Sequence, residues 1–331
     1  MNKKILHITE KPPVICYDPH PHSVIPIHAD YMNWIYQNYI QISSFKNITD
    51  RVNLTWIEYI FLNDYYQNNP FVEVEVLSEG TVTESIEEWI IDRINQHQYI
   101  GICVDRFYIQ EHVNYQLIHL PHGLLIYGYD LEQKVFYAAD FFKRIYSCKA
   151  IPMNQIVEGY TAAANEPKVM QFTYKDHVTY TLDIQHVFRA LEDYYTSSDR
   201  HLKVKYSLQP NVPKTFGLDT YRVLKQLYEV TAIELMRLDI RPLHTLYEHK
   251  KRMIGLLEHL SRSQLVEIDP GWIEGYKEIW RTSESIRNLF IKYEITRDPQ
   301  YLSRIIQLLG VLPDREKRLL DPIVNRYAGT F

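Results

Sequence analysis

The chain has 331 residues, and length alone favours about two domains over one. Apolar residues make up 46% and charged residues 23%, ordinary globular proportions that argue against a disordered chain. A net charge of −5 with no basic stripe argues against nucleic acid as a partner, and no apolar run approaches the ~20 residues of a membrane span.

The cysteines are Cys16, Cys103 and Cys148. An odd, sparse set without CxxC spacing argues against a disulfide framework and a zinc knuckle. Lys3 and Lys4 are followed by no apolar stretch before Pro12-Pro13, so no signal peptide is read, and the expected compartment is a reducing cytoplasm. Tyr is abundant, 27 against 11 Gly, and its ring buries while its hydroxyl stays polar.

In chain order, the Pro- and His-rich start to about residue 21 reads as extended or turning chain. From Ser23, Val24, Ile27, Tyr31, Trp34, Ile35 and Tyr39 recur at helical spacing. They predict one helix of about five turns, with Pro26 in its first turn. Leu54, Trp56, Tyr59, Ile60 and Leu62 suggest a short helix, and Phe71 to Leu77 alternates like a strand. Thr83 to Gln96 reads as a helix with Ile86, Trp89, Ile90 and Ile94 on one face.

Three strands follow, over Tyr99 to Ile109, Gly123 to Tyr129 and Lys134 to Asp140. Asp130-Leu131-Glu132-Gln133 joins the last two as a hairpin. The consecutive apolar run Leu124-Leu125-Ile126-Tyr127 fits a central strand buried on both faces. Val169 to Tyr174 suggests one more strand. Helical patterns then cover Ile184 to Tyr195, Leu218 to Met236, Leu243 to Leu260, Trp272 to Tyr293, Tyr301 to Leu309 and Arg315 to Arg326, with Pro313 between the last two. The expectation is an α+β protein: a domain over 1–165 with a central antiparallel sheet, and a mainly α-helical half over 166–331.

His122 opens the hairpin and Asp140 closes it. Antiparallel strands lie roughly 5 Å apart, so the fold brings those ends together. A carboxylate holding one imidazole nitrogen leaves the other as a base. On spacing alone, two solvated loop-edge residues are the more economical reading. A thiolate nucleophile needs an electropositive setting such as the first turn of a helix. Cys16 lies upstream of the first helix but several residues early, and otherwise reads as a small buried side chain. Ser23 is better placed but harder to activate. Cys103 reads as core, and Cys148 has no evident base.

The histidines His20, His22, His28, His112, His119 and His122 lack the ligand spacing of a metal site, so no metal is expected. Around Asp239, Arg241, His244, Glu248, His249, Lys250, Lys251 and Arg252, charge crowds a helix start. The simpler reading is a solvated face with i,i+4 pairs such as His244 with Glu248; the sharper one is a contact with the first domain or a carrier protein. No glycine-rich phosphate loop occurs.

The segment His122-Gly123-Leu124-Leu125-Ile126-Tyr127-Gly128-Tyr129-Asp130, followed by Val135-Phe136-Tyr137-Ala138-Ala139-Asp140, resembles papain-like cysteine peptidases of the bacteriocin-processing type. It resembles more closely the butirosin biosynthesis protein H family, whose papain-like N-terminal domain transfers an aminoacyl chain from an acyl carrier protein onto an amine. Val104-Asp105-Arg106-Phe107-Tyr108 fits that family's segment of an Asp with aromatics, ahead of a His-bearing loop. The resemblance covers roughly 99–145. It implies His122 as general base, Asp140 as the acid that orients it, and Cys16 as the nucleophile of a thioester. The family's cysteine sits at the helix start, a place held here by His22 and Ser23, so the nucleophile stays open between Cys16, Ser23 and none. The implied chemistry is amide formation in specialised-metabolite biosynthesis of the nonribosomal-peptide type. It needs no cofactor. Its partners are an acyl or peptidyl carrier protein with a phosphopantetheine arm and a small-molecule amine acceptor. The rival is a catalytically inactive papain-like module that binds a carrier protein or peptide intermediate.

Overall fold

The structure is a computed structural model. It describes residues 1–15, 19–25, 28–45, 58–59, 69–77, 85–163, 169–201, 214–234, 239–264 and 266–327. In chain order the elements begin β1 (Lys3–Ile5), α1 (His20–Val24), α2 (Tyr31–Asn38), β2 (Ile42–Phe45), β3 (Glu58–Tyr59), β4 (Val72–Leu77) and α3 (Ile86–Asn95). Next come β5 (Tyr99–Asp105), β6 (Pro121–Asp130), β7 (Val135–Phe142), β8 (Ile145–Pro152), α4 (Met153–Ala162) and β9 (Val169–Tyr174). The chain continues through α5 (Ile184–Thr196), β10 (Lys214–Phe216), α6 (Thr220–Glu234), α7 (Arg241–Ser263), α8 (Pro270–Thr296) and α9 (Pro299–Tyr327). Helix and antiparallel sheet are therefore mixed, and the C-terminal half is largely helical. Among the described residues no helix is long and apolar enough to cross a membrane.

Two compact units divide the chain: Met1–Tyr31 with Tyr66–Thr179, and Met32–Tyr65 with Tyr180–Phe331. The first holds a seven-stranded sheet in the order β4-β9-β5-β6-β7-β8, with β1 also pairing β6. Every pairing in it is antiparallel. The apolar run of β6 is buried without interruption from Leu124 to Asp130, as a central strand requires. The β6–β7 hairpin turns where expected, because Asp130 Oδ1 accepts from the Gln133 amide at 3.0 Å and Lys134 takes a positive φ of 53°. A bulge falls between Ile126 and Gly128. There β1 runs so close that a Cβ on residue 128 would lie 2.7 Å from the Lys4 carbonyl oxygen, which requires glycine.

Several elements differ from the sequence pattern. The long helix predicted from Ser23 is two, α1 and α2. Ile25 ends α1 in an extended conformation, φ −84° and ψ 115°, the region that the following Pro26 imposes on its neighbour. The helix predicted from Thr83 starts at Ile86, and Ser85 caps it by accepting from the Glu88 amide at 3.2 Å. The short helix suggested around residues 54–62 lies outside the described residues, except that Glu58–Tyr59 pairs with β2 as strand. Strand β8 and helix α4 carry no expectation from the pattern. The two helices predicted either side of Pro313 are one, α9, with Pro313 and Pro322 inside it. Buried Leu309, Leu312, Glu316 and Leu320 run through that stretch, so tertiary packing outweighs the lost backbone bonds.

In the second unit a small sheet, β10-β2-β3, accompanies helices α5 to α9. The charged start of α7 is not a solvated face. His244 does approach Glu248 at 3.7 Å, but His249, Lys250, Glu248 and Arg252 are all buried. Lys250 Nζ donates to Glu316 Oε1 at 2.8 Å, to Tyr194 OH at 2.6 Å and to His249 Nδ1 at 3.0 Å. Glu316 also accepts from Tyr221 at 2.6 Å and Tyr276 at 3.1 Å. Both charges are fully buried, which costs several kcal/mol per ion unless each is matched by partners of this kind. Burial pulls Lys250 down to about 8 while Glu316 opposes it, and burial pushes the three tyrosines well above their ordinary range. Lys250→Met alone is expected to destabilise the protein by about 3–5 kcal/mol in urea unfolding, because it strands Glu316. The double change Lys250→Met/Glu316→Leu is expected to cost less than Lys250→Met alone. Single and double variants of equal stability would contradict this account.

Candidate active site

The site lies at one end of β5, β6 and β7. The register sets Val104 opposite His122 and Asp105 opposite Pro121. Asp140 sits one residue beyond Ala139, which pairs with Leu125. Pleating puts residues two apart on one face, so His122, Leu124 and Asp140 share a face. The sequence-predicted pair is thereby brought together.

The contact between them is indirect. His122 Nδ1 is 3.6 Å from Asp140 Oδ1, too far for a hydrogen bond. Arg106 bridges the two. Its Nη2 donates to Asp140 Oδ1 at 3.0 Å and Oδ2 at 2.9 Å, and lies 2.8 Å from His122 Nδ1. The Phe141 amide donates to Asp140 Oδ1 at 2.7 Å. His112 Nε2 approaches Oδ2 at 3.2 Å without the alignment of a hydrogen bond. The His112 ring is itself buried and rests against Phe142, with centroids 4.8 Å apart. Asp140 is completely buried. Burial alone would raise its pKa, but His112, Arg106 and His122 together hold it well below the usual carboxylate range.

The His122 ring is 43% exposed, yet the protein around it disfavours the charged form and carries its pKa below 6.5. Asp140 pulls the other way; Arg106 adds to the lowering. A guanidinium always donates, so the nitrogen facing it accepts and the neutral ring carries its proton on Nε2. The Gly123 carbonyl oxygen, 2.9 Å from the same Nδ1, accepts from it in the doubly protonated ring and in the Nδ1–H tautomer.

Around this centre, His20 of α1 lies 3.6 Å from where a Cβ on Gly123 would be. Cys16 lies outside the described residues. Ser23 is buried, and its Oγ bonds Tyr146 OH at 2.7 Å rather than an imidazole. Cys148 stands on β8 opposite Ala139. Burial pushes its thiol up, the wrong direction for a nucleophile.

A second carboxylate–imidazole pair hangs from the neighbouring residue. His119 Nδ1 is 2.7 Å from Asp105 Oδ2, and Asp105 Oδ1 accepts from the amides of Phe107 at 3.0 Å and Leu120 at 2.9 Å. Among the described residues no group of three or more His, Cys, Asp or Glu is arranged to hold a metal ion. Sequence reading singled out neither Arg106 as a bridge nor Asp105 as a partner. The available signal was Asp105-Arg106 closing an apolar strand just before a polar loop. No known family model matches the chain, and no curated protein matches it.

Asp140→Asn is expected to destabilise the fold by about 3 kcal/mol, because it removes the completely buried carboxylate that matches the half-buried Arg106. Asp140 has a depressed folded pKa. The stability it contributes is therefore present above the unfolded value, near 3.8, and is lost as pH falls toward the folded one. Unfolding curves of Asp140→Asn below pH 4 are expected to be flatter in pH than those of wild type; parallel curves would contradict the assignment.

Proposed function

We propose that this protein is a papain-like acyltransferase that forms an amide from a carrier-protein thioester in the cytoplasm. The observation that carries the reading is the juxtaposition of His122 with the fully buried Asp140 at the end of the β6–β7 hairpin. The mixed fold, with its antiparallel sheet and a helical second half, is compatible with the resemblance to the butirosin biosynthesis protein H family. In this reading Cys16 gives its thiol proton to His122, which requires Arg106 to release Nδ1. The thiolate attacks the thioester carbonyl, and the phosphopantetheine thiol leaves with a proton. An amine then attacks the acyl-enzyme, forming the amide and returning Cys16. Asp140 balances the imidazolium that forms transiently. Tyr146, opposite Phe141 on β8, supplies an amphipathic wall of the kind a pantetheine arm needs.

One observation favours a second reading, a catalytically inactive module that binds a carrier protein or peptide intermediate. Arg106 already occupies both Asp140 oxygens and faces His122 Nδ1, which weakens the pair as a proton relay.

Incubation with an aminoacyl-loaded carrier, followed by intact-mass measurement, separates the two. The enzyme reading predicts an acyl adduct that is absent in Cys16→Ala and forms 10²- to 10⁴-fold more slowly in His122→Ala. Slow iodoacetamide labelling of Cys16 together with no acyl adduct would sink the enzyme reading and leave the binding module.

A further inference from the structure

Two hydrogen-bond donors at the end of the sheet are anchored on their inner side and open on their outer side. Asp140 takes Nη2 of Arg106 with both oxygens, at 3.0 and 2.9 Å, and so fixes the guanidinium. Nη1 of the same group has no partner among the described residues and is not enclosed. His122 is arranged in the same way. Its Nδ1 faces Nη2 at 2.8 Å, while Nε2 holds the proton of the neutral ring and has no partner among the described residues. Nη1 and Nε2 each lie one guanidinium or ring width beyond that contact, so they are at most about 7 Å apart. The two oxygens of one carboxylate, each taking a hydrogen bond of about 2.8 Å, bridge such a span. A guanidinium held by a buried carboxylate is oriented before any ligand arrives.

The strand register sets an apolar side chain beside these donors. The Arg106 amide donates to the Leu120 carbonyl oxygen at 3.0 Å, one ladder step beyond Asp105 opposite Pro121. Leu120 therefore stands opposite Arg106 and, two residues before His122, shares its face. It is 41% exposed.

The charge count selects the anion. Arg106 and Asp140 cancel. An anion beside His122 favours the doubly protonated ring, which adds one positive charge. The proton that this ring gains on Nδ1 has an acceptor in place, the Gly123 carbonyl oxygen at 2.9 Å. The other titratable groups about this centre are the buried rings of His112 and His20. A single net charge suits a carboxylate better than a dianionic phosphate.

We infer that Arg106 Nη1 and His122 Nε2 form a receptor for the carboxylate of a small aliphatic acid, whose hydrocarbon end rests on Leu120. The inference needs neither Cys16 nor the acyl-transfer reading.

The test is titration of the whole chain with isovalerate, with affinities from calorimetry and the state of the His122 ring from nitrogen-15 NMR. Saturable one-to-one binding is expected, with an upward shift of the His122 titration midpoint. Affinity is expected to rise from about pH 8 to about pH 6, a range over which the acid stays ionised. Isovaleramide, uncharged and of the same shape, is expected to bind at least about 10-fold more weakly. His122→Ala leaves Asp140 matched by Arg106, and Arg106→Lys keeps a cation for Asp140; each is expected to weaken isovalerate binding by about 10- to 100-fold. Leu120→Ser is expected to weaken isovalerate by about 5-fold and to leave acetate unchanged. No saturable binding, equal binding of acid and amide, or wild-type affinity in His122→Ala overturns the inference. Inorganic phosphate that binds more tightly than isovalerate overturns the assignment to a carboxylate.

Discussion

A carboxylate with no exposed surface is the constraint around which the first unit is arranged. Taking Asp140 out of water costs several kcal/mol, and the side chain persists as an anion only because donors converge on it. The donors are Arg106 after β5 and the Phe141 amide on β7, and the rings of His112 in the following loop and His122 on β6 stand beside the carboxylate. The charge therefore ties the strand ends to the loop between β5 and β6. It also fixes where His122 stands and how its proton is placed. The fold and the proposed chemistry draw on the same ion pair, since whatever turns Arg106 away from His122 also uncovers Asp140.

The second unit solves the same problem with a different set of side chains. Lys250 and Glu316 lie on α7 and α9, and tyrosines from α5, α6 and α8 complete the coordination. His249 is held neutral by burial and by Lys250, and spends its second nitrogen on the Ile40 carbonyl at 2.6 Å. The high tyrosine content thus has a local physical use: a phenol fills hydrophobic space and still satisfies a buried charge. Every proton of the Lys250 ammonium has a partner, so the cluster reads as a polar core that specifies one packing of five helices.

The hairpin was legible because its signals are local. An unbroken apolar run, an Asp-initiated turn and polar residues at both ends define it without knowledge of anything distant. The break between α1 and α2 was legible in principle from Pro26, which constrains Ile25 more strongly than it tolerates a first turn. Arg106 was not legible. Its partner is 34 residues away, and periodicity carries no information about which charge meets which. Lys250 was misjudged for the same reason: a charged run on an amphipathic helix looks solvated until the glutamate 66 residues later is in place. Ser23, the better placed of the two nucleophile candidates by sequence, bonds a phenol, a partner that no local pattern announces.

The central claim is that Arg106 bridges Asp140 and His122 and thereby sets the proton on His122. Its most direct test is nitrogen-15 NMR of the His122 ring across pH, in wild type and Arg106→Met. The account predicts a neutral ring protonated on Nε2, a titration midpoint below 6.5, and an upward shift of that midpoint in the variant. A neutral ring protonated on Nδ1, with a midpoint at or above 6.5 that Arg106→Met leaves unchanged, would contradict it.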